Sequence, residues 1–426
     1  MDVDKFTIYT SPPNVYNVTT SLIDPQATTA TKNLYAFLLS NFRKNIISGQ
    51  TDDKYNNMIT TAGKSPMLRD FDLLTYCPQY PYNWANGGFA FGPVDNMDAE
   101  HAIAWYNNTN KKGIVAFQWH WYSPSGGTVG TNTFNTTNTT FDITQAVIPG
   151  TQQNLDAIRD IDAIAVQLKK LSAADVPIIW RPLHEAGGAW FWWGAKGSAA
   201  CKALYDILYD RLTNHHGLHN LIWVWSTPEP DWYPGNTKVD MIGYDSYPGN
   251  FNYATQKNTF DKLYSIVGGQ KLIAMSENGP IPDIQKCFDS DAPWSYFMSW
   301  SDLVFSQNTI QHITDVFTAS RVLTLENPIG AADPVTPPVV VPPVIAGVAQ
   351  EVIVDKIKCF PNPFTDKLSI EANGTFTYAV YNAAGATLET GEGQNSSVAG
   401  VGLLRGIYIV KVMSRDGIEF FKIVKN

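Results

Sequence analysis

Val176-Pro-Ile-Ile-Trp180-Arg-Pro-Leu-His-Glu185-Ala-Gly-Gly-Ala-Trp190-Phe-Trp-Trp-Gly194 joins two patterns that seldom meet. Its opening, Val176 to Trp180, is a short apolar run and reads as a buried strand. A carboxylate just past such a strand, followed by glycines and four aromatics, is odd for a core. It suits the rim of a sheet built to hold a sugar. Aromatic faces stack on the C–H faces of a pyranose, and a carboxylic acid can protonate a glycosidic oxygen.

The same pattern recurs along the chain. Apolar segments with polar or aromatic C-terminal ends occur at Asn45-Ile-Ile-Ser-Gly-Gln50, Pro66-Met-Leu-Arg-Asp70, Gly113-Ile-Val-Ala-Phe-Gln-Trp-His120 and Val176 to Glu185. Four more follow: Leu221-Ile-Trp-Val-Trp225, Val239-Asp-Met-Ile-Gly-Tyr-Asp245, Lys271-Leu-Ile-Ala-Met-Ser-Glu277 and Tyr296-Phe-Met-Ser-Trp300. Helical patterns lie between several of them. In Asn154 to Leu171 the apolar set Leu155, Ile158, Ile161, Ile164, Leu168, Leu171 steps by three or four. Buried strands alternating with helices imply a parallel sheet. Eight of them over roughly 300 residues predict an α/β fold, a closed (β/α)8 TIM barrel over residues 1–326. Sites in such barrels lie at the C-terminal strand ends, where the polar residues cluster here.

The chain has 426 residues, enough for more than one domain, and a net charge of −9. That balance argues against nucleic acid and favours a neutral partner. Thirteen Trp and twenty Tyr are many for a chain with 16% charged residues, which again suits carbohydrate. Cys77, Cys201, Cys287 and Cys359 lie far apart without metal-ligand spacing, so no metal or other cofactor is expected and pairing stays open. No apolar run is long enough to span a membrane. Met1-Asp-Val-Asp-Lys-Phe lacks the pattern of a signal peptide.

Six prolines fall in residues 327–350, read as an extended linker. Residues 351–426 change character again. Lys367-Leu-Ser-Ile370, Thr375-Phe-Thr-Tyr-Ala-Val-Tyr381 and Gly406-Ile-Tyr-Ile-Val-Lys-Val412 are strand-like. Turn signals at Asn373-Gly374, Ala384-Gly385 and Asp416-Gly417 break them up. A small all-β sandwich is expected there.

Glu185 ends the fourth segment and Glu277 the seventh, so a closed barrel would bring them together across its mouth. Retaining glycosidases need two carboxyl groups about 5–5.5 Å apart. Asn278-Gly279 after Glu277 is a turn signal that would present the carboxylate.

Here the sequence resembles glycoside hydrolase family 26 over roughly residues 30–320. Trp180-Arg-Pro-Leu-His-Glu185 with Trp190-Phe-Trp-Trp-Gly194 is similar to the family's acid/base motif. Ser276-Glu-Asn-Gly279 is similar to its nucleophile motif. Gln118-Trp-His-Trp121 and Val239 to Tyr247 match two further segments. The resemblance implies a retaining barrel enzyme, in most cases an endo-β-1,4-mannanase and in a minority a β-1,3-xylanase or mixed-linkage β-glucanase. It implies Glu185 as general acid/base and Glu277 as nucleophile. It places His120, Trp121, His184, Trp190, Phe191, Asp245, Tyr247 and Trp300 where sugar is contacted or the carboxylates are oriented. Trp190 and Phe191 would desolvate Glu185 and raise its pKa, while Arg181 and Tyr247 would donate to Glu277. Ala186-Gly187-Gly188-Ala189 departs from the Met-Asn that many relatives carry after the acid.

Cys359-Phe-Pro-Asn-Pro-Phe-Thr-Asp-Lys-Leu368, Gly406 to Val412 and terminal Lys422-Ile-Val-Lys425 resemble the C-terminal sorting domain of type IX secretion in Bacteroidetes. The resemblance implies contact with that machinery and a secreted or cell-surface protein. Such proteins normally carry an export signal, so its absence suggests a trimmed start.

Blander readings stand beside these. His120 and His184 also fit structural histidines. Trp180, Trp223 and Trp225 read as core. Asp70 and Asp72 either support the second strand end or bind Arg69. Gly130-Thr-Asn-Thr-Phe-Asn-Thr-Thr-Asn-Thr-Thr140 reads as a long polar loop over the mouth. A non-catalytic carbohydrate-binding surface protein would account for the aromatics but not for two opposed glutamates.

Overall fold

A computed structural model describes residues 16–327, 357–382, 387–414 and 417–426. The chain divides between Pro337 and Pro338 into two compact units.

The first unit is a closed barrel of eight strands, one from each of the eight segments. They are β1 (Gly49–Thr51), β2 (Leu68–Asp72), β3 (Ile114–Gln118), β4 (Ile178–Arg181), β5 (Leu221–Trp225), β6 (Met241–Ser246), β7 (Leu272–Asn278) and β8 (Phe297–Ser299). Neighbours pair in parallel and in chain order, and Gln50 opposite Ser299 closes the ring. The first segment splits. Ile46–Ile47 pairs with Val322–Leu323 as a separate two-stranded sheet, and only Gly49–Thr51 enters the barrel.

Side chains alternate across each strand. Leu68, Ile114, Ala116, Ile179, Ile222, Leu272 and Ala274 form one cluster, joined by Tyr35 and Leu38 of the helix Thr29–Asn41. These are the barrel's inner residues, and that helix packs against them. Phe71, Val115, Phe117, Ile178, Trp180, Trp223 and Ile273 point the other way, into the cluster shared with the outer helices. Each inner face thus carries apolar residues first and polar ones at its C-terminal end.

The helix Gln152–Ala173 starts where Thr151 Oγ1 accepts the Asn154 N–H at 3.1 Å. Its buried face runs through Ala157, Ile161, Ile164, Leu168 and Leu171. Leu155, expected on that face, is 53% exposed. The face begins one position earlier, at Asn154, whose amide donates to Ala146 O. Among the described residues, no helix is long and apolar enough to cross a membrane.

The second unit has five antiparallel strands: β9 (Ile357–Phe360), β10 (Leu368–Asn382), β11 (Thr387–Ala399), β12 (Gly406–Ser414) and β13 (Gly417–Lys425). β10 pairs with β9, β11 and β12. Leu368, Ile370, Phe376, Val380, Val410 and Val412 form its own core. Asn373-Gly374 does not end a strand as expected. Gly374 has φ +77° at a register shift within β10, so the pair is a bulge that lets one strand run on. The Ala384-Gly385 signal, Asp416 and linker residues 328–350 lie outside the described residues.

Candidate active site

Past Arg181 the chain turns at once. Leu183 and Glu185 have φ of +50° and +54°, a left-handed conformation costing about 1–3 kcal/mol for such residues. Hydrogen bonds hold it: Trp193 Nε1 donates to His184 O at 2.8 Å, and the Ala186 N–H to Thr227 Oγ1 at 3.0 Å. The strained turn aims Glu185 into the mouth. Trp190 Nε1 then donates to Glu185 Oε2 at 2.9 Å. Gly188 makes room for that indole, since a Cβ there would sit 1.8 Å from the ring. Burial, and after it the charge of Glu277, raises the Glu185 pKa.

Glu277 reaches the mouth through a bulge. Leu272 and Ala274 face into the barrel while Ile273 and Met275 face out, so strict alternation would send residue 277 outward. The pairing instead steps from Tyr244 opposite Met275 to Asp245 opposite Glu277. The extra residue, Ser276, restores Glu277 to the inner side. There Glu277 accepts from Arg181 Nη2, and from the Tyr247 hydroxyl at 2.5 Å.

Arg181 is buried and bridges several partners. Its Nη1 donates to Asp245 Oδ2 at 2.9 Å and its Nη2 also reaches Gln118 Oε1. Ser276 Oγ donates to Asp245 Oδ1 at 2.7 Å. Burial pushes the Asp245 carboxyl well up, opposed by Arg181. One carboxylate oxygen each from Glu185, Asp245 and Glu277 lie within 4.8 Å of one another. Among the described residues these three are the group close enough to hold a cation. Arg181 already donates to two of them.

His120 and His184 meet beside the carboxylates, with Nε2 atoms 3.3 Å apart. Asp72 Oδ2 lies 2.5 Å from His120 Nδ1. Burial opposes a charge on His120, but the charge and hydrogen bond of Asp72 raise its pKa. Burial, His120 and Arg181 push His184 well down.

Aromatics wall the site. Phe191 packs edge-on to His184 at 5.1 Å, and Trp300 tilts against His120 at 5.6 Å. The Asn/Thr-rich loop reaches the same rim, where Phe134 lies 5.2 Å from His120 and Thr136 N–H donates to Trp190 O at 2.8 Å. A recess of about 480 Å3 opens beside His120, lined also by Asp70, Asp72, Asp98, Phe134 and Trp300. It adjoins the two glutamates without containing them.

The model of glycosyl hydrolase family 26 matches residues 23–327. The chain belongs to this family of glycoside hydrolases. The secretion-system C-terminal sorting domain model matches residues 358–426, so the second unit is such a domain. Among family 26 relatives, a mannan endo-1,4-β-mannosidase of Thermothelomyces thermophilus is 39% identical over 76% of this chain and 67% of its own length. Mannan endo-1,4-β-mannosidase B of a Piromyces species is 35% identical, over 76% of this chain and 57% of its own. The chain thus spans about two thirds or less of these curated relatives. A solved β-(1,4)-mannanase of Podospora anserina superposes with TM-score 0.68 at 38% identity, covering 74% of this chain and 70% of that one. A β-mannanase from a symbiotic protist of the termite Reticulitermes speratus, solved with a gluco-manno-oligosaccharide, superposes at 0.66 with 34% identity. That match covers 74% of this chain and 99% of the other.

Within this family 26 barrel, the mouth gathers Glu185, Glu277, His120, Arg181, His184, Trp190, Phe191, Asp245, Tyr247 and Trp300. Trp121 is not among them. It is fully buried, stacked 4.0 Å from Trp119, and donates to Asp160 Oδ2 at 3.0 Å. The reason is strand parity. Ile114, Ala116, Gln118 and His120 face in, so Val115, Phe117, Trp119 and Trp121 face the helices. Asp72 and Gln118 were not singled out as site residues, although the same parity points to Gln118. Arg69 pairs with Asp52, which leaves Asp72 to His120.

Proposed function

We propose that the barrel hydrolyses internal β-1,4-mannosidic bonds of mannan-type polysaccharides by double displacement, with net retention. Glu277, which accepts hydrogen bonds from Arg181 and Tyr247, attacks the anomeric carbon. Glu185 protonates the leaving oxygen and then deprotonates the incoming water. The observation that carries this reading is the opposite treatment of two carboxylates within 4.8 Å. One accepts from a guanidinium and a phenol, while burial favours a proton on the other. Their closeness favours retention, because inversion needs about 6.5–9.5 Å for a water. The names of the relatives support mannan. We further propose that residues 1–326 are the catalytic unit, 327–350 a linker and 351–426 the address. The type IX machinery would then deliver the protein to the cell surface or medium.

The test compares Glu185→Ala and Glu277→Ala on mannan, lichenan and β-1,3-xylan. Both variants should lose several orders of magnitude on mannan. On an activated aryl β-mannoside, Glu185→Ala should retain its first step, because that leaving group needs little protonation. Azide should rescue Glu185→Ala with β-linked product and Glu277→Ala with α-linked product. Full polysaccharide activity in either variant would refute the assignment. Faster wild-type cleavage of xylan or lichenan would refute the substrate.

A further inference from the structure

We infer that the Ser276 hydroxyl positions the nucleophile, working through Asp245 and Arg181 to fix the Glu277 carboxylate. The proposal rests on the hydrolase reading and gives a task to a side chain buried behind the mouth.

The bulge in β7 needs an extra residue, but it does not need a serine. Two observations single the hydroxyl out. Ser276 Oγ donates to Asp245 Oδ1 at 2.7 Å. On the neighbouring strand, Gly243 clears the space that hydroxyl occupies, since a Cβ there would collide with Ser276 Oγ. A buried hydroxyl must find a partner, and this one finds a carboxylate. Ser226 offers the other oxygen of Asp245 only a long contact, 3.5 Å.

From Asp245 the contacts run on to Glu277. Asp245 Oδ2 accepts from Arg181 Nη1 at 2.9 Å, and Arg181 Nη2 donates to Glu277 Oε1. Carboxylate and guanidinium are both planar, so fixing one end of each fixes the other. Ser276 and Glu277 are neighbours in the chain. The contacts therefore close into a ring: Ser276, Asp245, Arg181, Glu277 and back through one peptide bond. That ring holds Glu277 from its carboxylate and from its main chain at once. Without the hydroxyl it opens at Asp245.

Charge points the same way. Arg181, Glu185 and Glu277 face Asp245 from the neighbouring elements. Burial disfavours a charge on Asp245, whereas Arg181 and the Ser276 hydroxyl favour it. A charged, anchored Asp245 keeps its share of the guanidinium. Arg181 given wholly to Glu277 would lower the basicity of that carboxylate, and with it the power to attack the anomeric carbon.

The experiment measures kcat/KM for wild type, Ser276→Ala, Asp245→Asn and Ser276→Ala/Asp245→Asn. The substrate is whichever of mannan, lichenan and β-1,3-xylan the wild type cleaves fastest. Ser276→Ala should lose about tenfold, the low end for a hydrogen bond to a charged group, because it acts at one remove. Added to Asp245→Asn, the same substitution should cost less than about twofold, because the ring is already broken. Calorimetry with an oligosaccharide of that polysaccharide should give one affinity for Glu277→Ala with and without Ser276→Ala, since the hydroxyl meets no sugar. An unchanged kcat/KM in Ser276→Ala overturns the proposal. So does a full loss in the Asp245→Asn background, or a weakened affinity, either of which marks a merely structural role. Should Ser276→Ala fail to fold, Ser276→Cys, with a weaker donor in the same place, carries the same comparisons. A wild type inactive on all three polysaccharides refutes the hydrolase reading, and the proposal falls with it. An active wild type indifferent to Ser276 refutes the proposal alone.

Discussion

Replacing Trp190 with Phe should move the alkaline limb of the pH profile upward. In the proposed mechanism Glu185 must carry a proton, so activity should be present below the pKa of that group and lost as pH rises through it. Burial and Glu277 raise that pKa, while the Trp190 indole N–H lowers it by donating to the carboxylate. Phenylalanine keeps most of the apolar cover and deletes only the donor. A hydrogen bond to a charged group contributes about 1.5–3 kcal/mol. Trp190 is 50% exposed, so the low end applies. At about 1.4 kcal/mol per unit, the limb should rise by about one pH unit. The assay is kcat/KM for soluble mannan across pH, which reports ionisations of the free enzyme. KM should also rise, because the indole face is reduced, but that change is independent of pH. A limb that stays put or moves down would show that Trp190 does not hold the Glu185 carboxylate in solution.

Other consequences are as direct. Trp121→Ala should destabilise the barrel by about 3–5 kcal/mol through cavity formation, with Asp160 Oδ2 losing its donor. Urea unfolding measures the loss, and a raised KM at unchanged stability would restore Trp121 to the sugar site. A chain ending at Asn327 should keep the melting temperature of the barrel and its activity on soluble substrate, because the two units have separate cores. A lowered melting temperature would contradict that independence. In a Bacteroidetes host with an export signal supplied, the same truncation should leave the protein in the periplasm, and secretion of the truncated chain would count against the sorting role.

Eight apolar segments with polar ends were legible because the rule behind them is local. A strand buried on both faces must be apolar throughout, and only its C-terminal end can carry chemistry. The motifs around Glu185 and Glu277 were legible for the same reason, since each lies within one strand and its following turn. β11 of the second unit was not legible. Its residues alternate between exposed and half-exposed almost throughout, so no hydrophobic period marks it. Motif membership alone puts Trp121 at the sugar, whereas the strand parity written in Ile114, Ala116, Gln118 and His120 turns it toward the helices.

The amino-acid order alone therefore determined the barrel, the pair of glutamates and the order of the two units. Tertiary structure decided everything that depends on contact between strands far apart in the chain. It shows that Arg181 reaches Asp245 as well as Glu277, that Asp72 belongs to His120 rather than Arg69, and that a bulge at Ser276 returns Glu277 to the inner face. Such pairings are invisible in one dimension. Charges interact through space at a few ångströms, and a one-residue slip in a strand sends a side chain to the opposite face.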